Sequence, residues 1–359
     1  MSAMKNILFV DDELRVLEGI RDVLRKHRKR WNVELAHGGE VALRMLAERP
    51  YDVVVTDLRM PIVDGFAVLE HLKEEYPKTV RLVLSGDPQR ETVMKLVPQA
   101  HRALLKPCPA EVLQQAIESA CALGALLADD ELRRMVGRIG DLPPMPQTYA
   151  RLTRVLGGED ASLSAISEVV ESDVALAAKM LQLANSALFG VPRPVASVRD
   201  AIGFLGLELL RTVALSEGAF GRREVPVARR AEIAKLQEHS ILVARTAVEL
   251  AENPTIRRDV FAAGLLHDVG RLVMALEDPG PPDSSSMVLR RESIQAPAHA
   301  LVGAYLLGLW GVPAPIIEAV ALHHNPPADG SAPLASLVAK AEALIERVAE
   351  QGAISELQS

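Results

Sequence analysis

The sequence is poor in cysteine, in aromatic residues, in long apolar runs and in excess basic charge, and each shortage excludes something. Cysteine occurs twice, at Cys108 and Cys121. That is too few for a disulfide framework and points to a reducing compartment. Aromatic residues make up 3% of the chain, which argues against stacking platforms for single-stranded nucleic acid. No apolar run reaches the ~20 residues that cross a bilayer. The opening MSAMKNILFVDDE carries no charged segment followed by a long apolar one. The expectation is a cytoplasmic protein with no membrane partner. Residues 1–140 hold 21 basic and 21 acidic side chains, and residues 141–359 hold 19 and 26, so the second half carries the whole net charge of −7. An acidic second half argues against DNA binding as the output.

What is present is ordinary for a globular protein: 49% hydrophobic and 24% charged residues in 359, enough for two domains. Short apolar runs at Ile7–Val10, Val33–Ala36, Val53–Thr56, Arg81–Leu84 and Ala103–Leu105 alternate with helical patterns near 13–29, 39–48, 65–75, 89–97 and 109–127. This predicts a doubly wound, parallel, five-stranded α/β domain over residues 1–125. A charged helical linker covers 126–140, and DLPPMPQ marks a boundary. From there apolar residues recur at helical spacing without strand alternation. The prediction for 141–350 is an all-α domain of roughly ten helices, with 351–359 a disordered tail.

In a doubly wound sheet, ligands collect where the strands end. Asp11 and Asp12 follow the first strand, Asp57 ends the third, Ser85 the fourth and Lys106 the fifth. Three carboxylates together repel unless a hard cation joins them, and Mg²⁺ suits oxygen ligands. The basic run Lys26–Arg30 reads as the solvated end of a helix. With Met60-Pro61, Asp64-Gly65, Ser85-Gly86 and Lys106-Pro107, residues ~5–125 resemble the response-regulator receiver domain of two-component signalling. The resemblance implies that Asp57 accepts phosphate from a sensor histidine kinase, that Asp11, Asp12 and Asp57 hold Mg²⁺, that Ser85 and Lys106 contact the phosphoryl oxygens, and that the Lys106–Pro107 bond is cis. It also marks a departure. The aromatic residue usual three positions before the lysine is Ala103 here, which shifts the expected transmission towards helix rotation or dimerisation.

The second half carries His267-Asp268 inside VFAAGLLHDVGRLVM, a polar pair in an apolar stretch. Burying such a pair without partners is costly. Pro143, Pro146, Asp173, LQLANSALFG with Asn185-Ser186, AIGFLG with Gly206, GLLHDVG, AYLLGLWGVP and His323-His324 closely resemble the HDOD domain, a signalling relative of the HD metal-dependent phosphohydrolases. Asn185 and Ser186 are read as structural, capping a turn between helices. The resemblance implies a metal-ligand series of His239, His267, Asp268, His299, His323, His324 and Glu342. Imidazole and carboxylate ligands suit Fe, Mn or Zn. Two features depart from the hydrolase pattern: Glu342 stands where the HD series ends in Asp, and Lys235 and Asn325-Pro326-Pro327 replace the Glu and Gly-Tyr-Pro features of the cyclic di-GMP phosphodiesterase branch. The leading expectation is therefore a response regulator whose HDOD module signals to an unknown downstream protein by protein–protein contact, with homodimerisation one route. The alternative is a phosphorylation-gated, metal-dependent phosphohydrolase or cyclic dinucleotide phosphodiesterase.

Overall fold

A computed structural model of the chain describes residues 4–86, 96, 98–127, 129–140, 142–158, 162–186, 194–215, 227–277, 288–290 and 295–357. The first domain holds β1 (Lys5–Asp11), β2 (Trp31–His37), β3 (Val53–Asp57), β4 (Val80–Ser85) and β5 (Arg102–Leu105). They form one parallel sheet in the order β2-β1-β3-β4-β5. The inner strands β1, β3 and β4 are buried on both faces and read as continuous apolar runs, whereas the edge strands β2 and β5 are only partly buried. Helices α1 (Leu14–Leu24), α2 (Gly39–Glu48), α3 (Gly65–Glu75) and α4 (Ala110–Leu126) pack around the sheet. The helix expected at 89–97 lies outside the described residues except for Leu96.

Strand order reverses between β1 and β3, so Asp11 and Asp57 end neighbouring strands at the same edge. The return into α3 is tight. Asp64 caps that helix by accepting from the Ala67 amide at 2.9 Å. A Cβ at Gly65 would collide with the backbone of Asp57 and Leu58, so only glycine lets α3 start against the end of β3.

The linker helix α5 (Asp130–Arg138) is capped by the Asp129 carboxylate, which accepts from the Glu131 and Leu132 amides. The second domain follows as α6 (Pro146–Gly157), α7 (Leu163–Val170), α8 (Val174–Ala184), α9 (Val198–Leu215), α10 (Arg230–Leu250), α11 (Arg257–Leu266), α12 (Val269–Glu277), α13 (Ala298–Leu309), α14 (Ala314–Leu322) and α15 (Pro333–Leu357). Helix α8 is buried along its whole length and forms the centre of the core. Asp173 accepts from the amides of Ala175 (2.9 Å), Leu176 (3.1 Å) and Met145 (2.7 Å), tying the proline-rich boundary to the start of α8. Asn185 ends α8 and bridges to Val195 through both its amide oxygen and nitrogen, the turn role expected for it. Gly206 breaks α9 with φ of 75°, in the left-handed region that favours glycine.

Two features differ from the sequence reading. A short antiparallel ribbon, β6 (Val288–Arg290) with β7 (Gln295–Pro297), interrupts a region expected to be all-helical. Three-residue strands are too short to show alternation. Helix α15 continues to Leu357, past the point where the sequence reading begins a disordered tail. Among the described residues no helix is long and apolar enough to cross a membrane.

Candidate functional sites

At the carboxyl edge of the sheet, Asp11, Asp12 and Asp57 each bring a carboxylate oxygen within 4.8 Å of the others. Lys106 Nζ lies 2.8 Å from Asp11 Oδ2 and 3.2 Å from Asp57 Oδ1. The Lys106–Pro107 bond is cis, as the resemblance implies. Ser85 ends β4 beside Leu105, and the Lys106 amide donates to its carbonyl at 2.7 Å. The structure therefore brings all five expected residues to one edge.

Charge at this edge does not balance, because three carboxylates meet one ammonium. Burial pushes the Asp57 carboxyl above its usual range, and Asp11 adds to the push, against the lowering effect of Lys106. Burial alone would lower Lys106, but the hydrogen bond to Asp11 and the charges of Asp57 and Asp11 outweigh it and its pKa is raised. An all-oxygen donor set with unbalanced negative charge fits a hard divalent cation.

The second group lies inside the helical domain. His267 and Asp268 sit at the break between α11 and α12 rather than within one helix. The break lets consecutive side chains share one pocket. Close helix approach brings the rest in. A Cβ at Gly264 would strike the α10 backbone at Ala244, and one at Gly270 would strike α13 at His299 and Gly303. His239 on α10, His299 on α13, and His323-His324 at the end of α14 thereby converge. His239, His267 and Asp268 form one set of ligand atoms within 4.8 Å of one another, and His299, His323 and His324 form another. The sets adjoin: His299 Nε2 is 3.3 Å from Asp268 Oδ1, and the His267 and His323 ring centroids are 5.1 Å apart.

Tautomers follow from the partners. His267 Nδ1 donates to the Gly264 carbonyl at 2.7 Å, and His323 Nδ1 donates to Val320 at 2.8 Å. Each ring then turns an Nε2 lone pair inward, and neither Nε2 has a hydrogen-bond partner. This is how ligating histidines are oriented. Burial lowers the pKa of His267, His299 (to about 3), His323 and His324, so the rings are neutral at pH 7. Burial would raise Asp268, yet the surrounding His267, Arg271 and His299 hold it at about 2. Neutral imidazoles around an ionised carboxylate fit a transition-metal ion.

Six of the seven expected ligands are brought together. Glu342 belongs to neither set, and burial with the nearby Asp268 charge raises its pKa to about 7. Arg271, absent from the sequence reading, places Nε 3.0 Å from Asp268 Oδ1 and supplies the counter-charge. Its signal was a cation three residues beyond Asp268, on the same helical face.

Residues 142–326, just over half of the chain, match the family model of the HDOD domain, and residues 7–118 match that of the response regulator receiver domain. An uncharacterized protein of Treponema pallidum is 29% identical over 208 residues, 53% of this chain and 39% of that protein. The transcriptional regulatory protein ZraR of Salmonella typhimurium is 32% identical over 155 residues, 42% of this chain and 34% of that protein. The chain thus spans well under half of either relative. Among solved structures, the MmoQ response regulator of Methylococcus capsulatus is 27% identical, with a TM-score of 0.45, over 58% of this chain and 87% of that one.

Proposed function

The chain belongs to the HDOD domain family, with a response regulator receiver domain ahead of the helical one, and we propose that Asp57 is its phosphoacceptor in two-component signalling. The carrying observation is the edge where Asp57, Asp11, Asp12, Lys106 and Ser85 converge. The donor is a phosphohistidine of a sensor kinase. In the transfer, the phosphorus–nitrogen bond of the donor breaks and a bond forms between phosphorus and an Asp57 carboxylate oxygen. The imidazole leaves with the bonding electron pair. Lys106, already paired with Asp57, is placed to hold the phosphoryl oxygens, and the Ser85 hydroxyl is near enough in register to take another. Magnesium held by Asp11, Asp12 and Asp57 supplies charge neutralisation for the incoming group. The protein works in the cytoplasm, and its helical domain passes the signal on by contact with another protein rather than with DNA.

The test is labelling by a small phosphodonor. Acetyl phosphate with Mg²⁺ is expected to load the wild-type chain and leave Asp57→Asn unlabelled. Equal labelling of both would remove Asp57 from the reading.

A second reading concerns the helical domain, and the inward, unpartnered Nε2 atoms of His267 and His323 beside ionised Asp268 favour it. His239, His267, Asp268, His299, His323 and His324 would hold Fe, Mn or Zn, which can activate water for phosphoester hydrolysis. Stoichiometric metal with turnover of a nucleotide or cyclic dinucleotide would make the domain an enzyme. Metal without turnover leaves it a signalling module with a structural or sensory ion.

A further inference from the structure

The basic run at the end of α1 takes no part in either site. Helix α1 starts beside the acceptor edge and is 11 residues long, so its last turn stands roughly 16 Å from that edge. There Arg25–His27 form one turn of 3₁₀ helix, and residues 28–30 lead back into β2. The backbone is pinned. The Arg30 amide donates to the His27 carbonyl at 2.8 Å, and the Lys5 amide donates to the Arg30 carbonyl at 3.0 Å. The His27 ring stacks on Trp31 with centroids 4.5 Å apart. This holds Arg21, Arg25, Lys26, Arg28, Lys29 and Arg30 together on the surface, all six exposed.

Their charge is left unbalanced. Of the six, only Arg30 makes an ion pair among the described residues, with Glu118 at 3.0 Å. Setting Asp22 and Glu118 against the six cations leaves a net charge of +4 here, in a chain whose net charge is −7. The negative end of the α1 dipole offsets only about half a charge. Crowded like charges repel, and an anionic surface relieves that repulsion. The acidic helical half does not. Arg102, which joins the domains by donating to the Leu309 carbonyl at 3.2 Å, opens β5 at the sheet edge opposite β2. At ~4.8 Å between neighbouring strands, the two edges are roughly 19 Å apart. Charge acts over only ~8 Å at physiological salt.

The surroundings of the turn select the partner. Five of the six cations have no fixed acceptor, so they suit a diffuse layer of negative charge rather than the few placed carboxylates of a protein face. Trp31 is 3% exposed beneath His27 and offers no platform to a nucleic-acid base. Exposed apolar side chains flank the cations instead: Val23 is 38% exposed, and Met4, next to Lys5, is 55% exposed. Cations interleaved with apolar side chains suit lipid headgroups. We propose that residues 21–30 dock the protein reversibly on an anionic lipid surface, with Val23 and Met4 entering the headgroup layer. Helix α1 keeps the acceptor edge away from that surface and open to its donor. The docking needs no membrane span, and it does not depend on Asp57 being the phosphoacceptor.

Co-sedimentation of the full chain with vesicles tests this. The wild type is expected to pellet with mixed phosphatidylcholine–phosphatidylserine vesicles at low salt, to stay in solution with phosphatidylcholine alone, and to release at high salt. Each Lys or Arg near an anionic surface strengthens binding about fivefold. Arg25→Gln with Lys26→Gln is therefore expected to weaken binding about 30-fold, and Arg28→Glu with Lys29→Glu roughly several hundredfold. These side chains are exposed and unpaired among the described residues, so both variants are expected to keep the wild-type unfolding midpoint. A wild type that stays in solution with the mixed vesicles at low salt overturns the proposal, as do equal pelleting with phosphatidylcholine alone and variants that pellet like the wild type. Binding to a DNA duplex as tight as to the mixed vesicles, and lost in the same variants, would make the turn a nucleic-acid contact and overturn the lipid assignment.

Discussion

At the receiver edge, three carboxylates and one lysine share a half-open sheet end; in the helical domain, His267, Asp268, His299 and His323 are buried, with His239 half-buried and His324 exposed at their rim. The first arrangement has too much charge of one sign, so it fits a cation and, with it, an incoming phosphoryl group. The second has its charge nearly neutralised, by Arg271 against Asp268, and offers lone pairs instead. The difference teaches what each place is built to hold. A site with unbalanced charge suits ligands that come and go, and a nearly neutral one with a buried centre suits a resident ion. It also explains why the receiver half supports a specific reaction while the helical half supports a ligand set without a defined substrate.

That contrast can be broken most sharply at the histidines. His267→Ala together with His323→Ala is expected to remove bound Fe, Mn or Zn entirely, measured by elemental analysis of the purified protein, while leaving labelling at Asp57 intact. Loss of labelling as well would mean that the two regions are not separable in this way. The next largest effect is on stability. Asp173→Ala strands the buried amides of Ala175 and Leu176 and the part-buried amide of Met145, and is expected to cost about 3 kcal/mol in denaturant unfolding of the helical domain.

His101 supplies a pH-dependent effect at the domain junction. Burial lowers its pKa well below 6.5, and the charges of Arg81, Lys73 and Arg102 add to this. A histidine with a depressed folded pKa contributes stability above pH 6.5 that is lost on acidification. Between pH 6.5 and 5 the wild type is expected to lose on the order of 1–2 kcal/mol more than His101→Gln, read from unfolding curves at the two pH values. A parallel loss in both chains would remove His101 from the account. The smallest effect sharpens the metal side. Arg271 competes with any cation for Asp268, so Arg271→Ala is expected to tighten Mn²⁺ or Zn²⁺ binding about tenfold, measured by calorimetry.

Much of this was legible in the sequence, for identifiable reasons. Strands buried on both faces announce themselves as apolar runs, and acids at their ends stand out against them. The His267-Asp268 pair was visible because such a pair in an apolar stretch needs partners, and the resemblance to the HDOD domain supplied the other four, His239, His299, His323 and His324. The helix break that lets His267 and Asp268 share a pocket was not visible, since VFAAGLLHDVGRLVM reads as one continuous helix. Glu342 was read as a ligand by its place in the series, yet it stands outside both sets. The contact between the domains was hidden because Arg81 opens one apolar run and Arg102 stands just ahead of another, while the acceptors Gly137, Gly308 and Leu309 are backbone carbonyls distant in sequence. Periodicity carries no trace of a contact made by carbonyl groups.

The central claim, that the charge-rich sheet edge is a phosphoacceptor completed by magnesium, is tested most directly by intact-mass analysis after exposure to acetyl phosphate, with peptide mapping of the site. One phosphoryl group per chain is expected, on the β3 peptide that contains Asp57, and none when Mg²⁺ is chelated. Label on any other residue, or undiminished label without Mg²⁺, would contradict it.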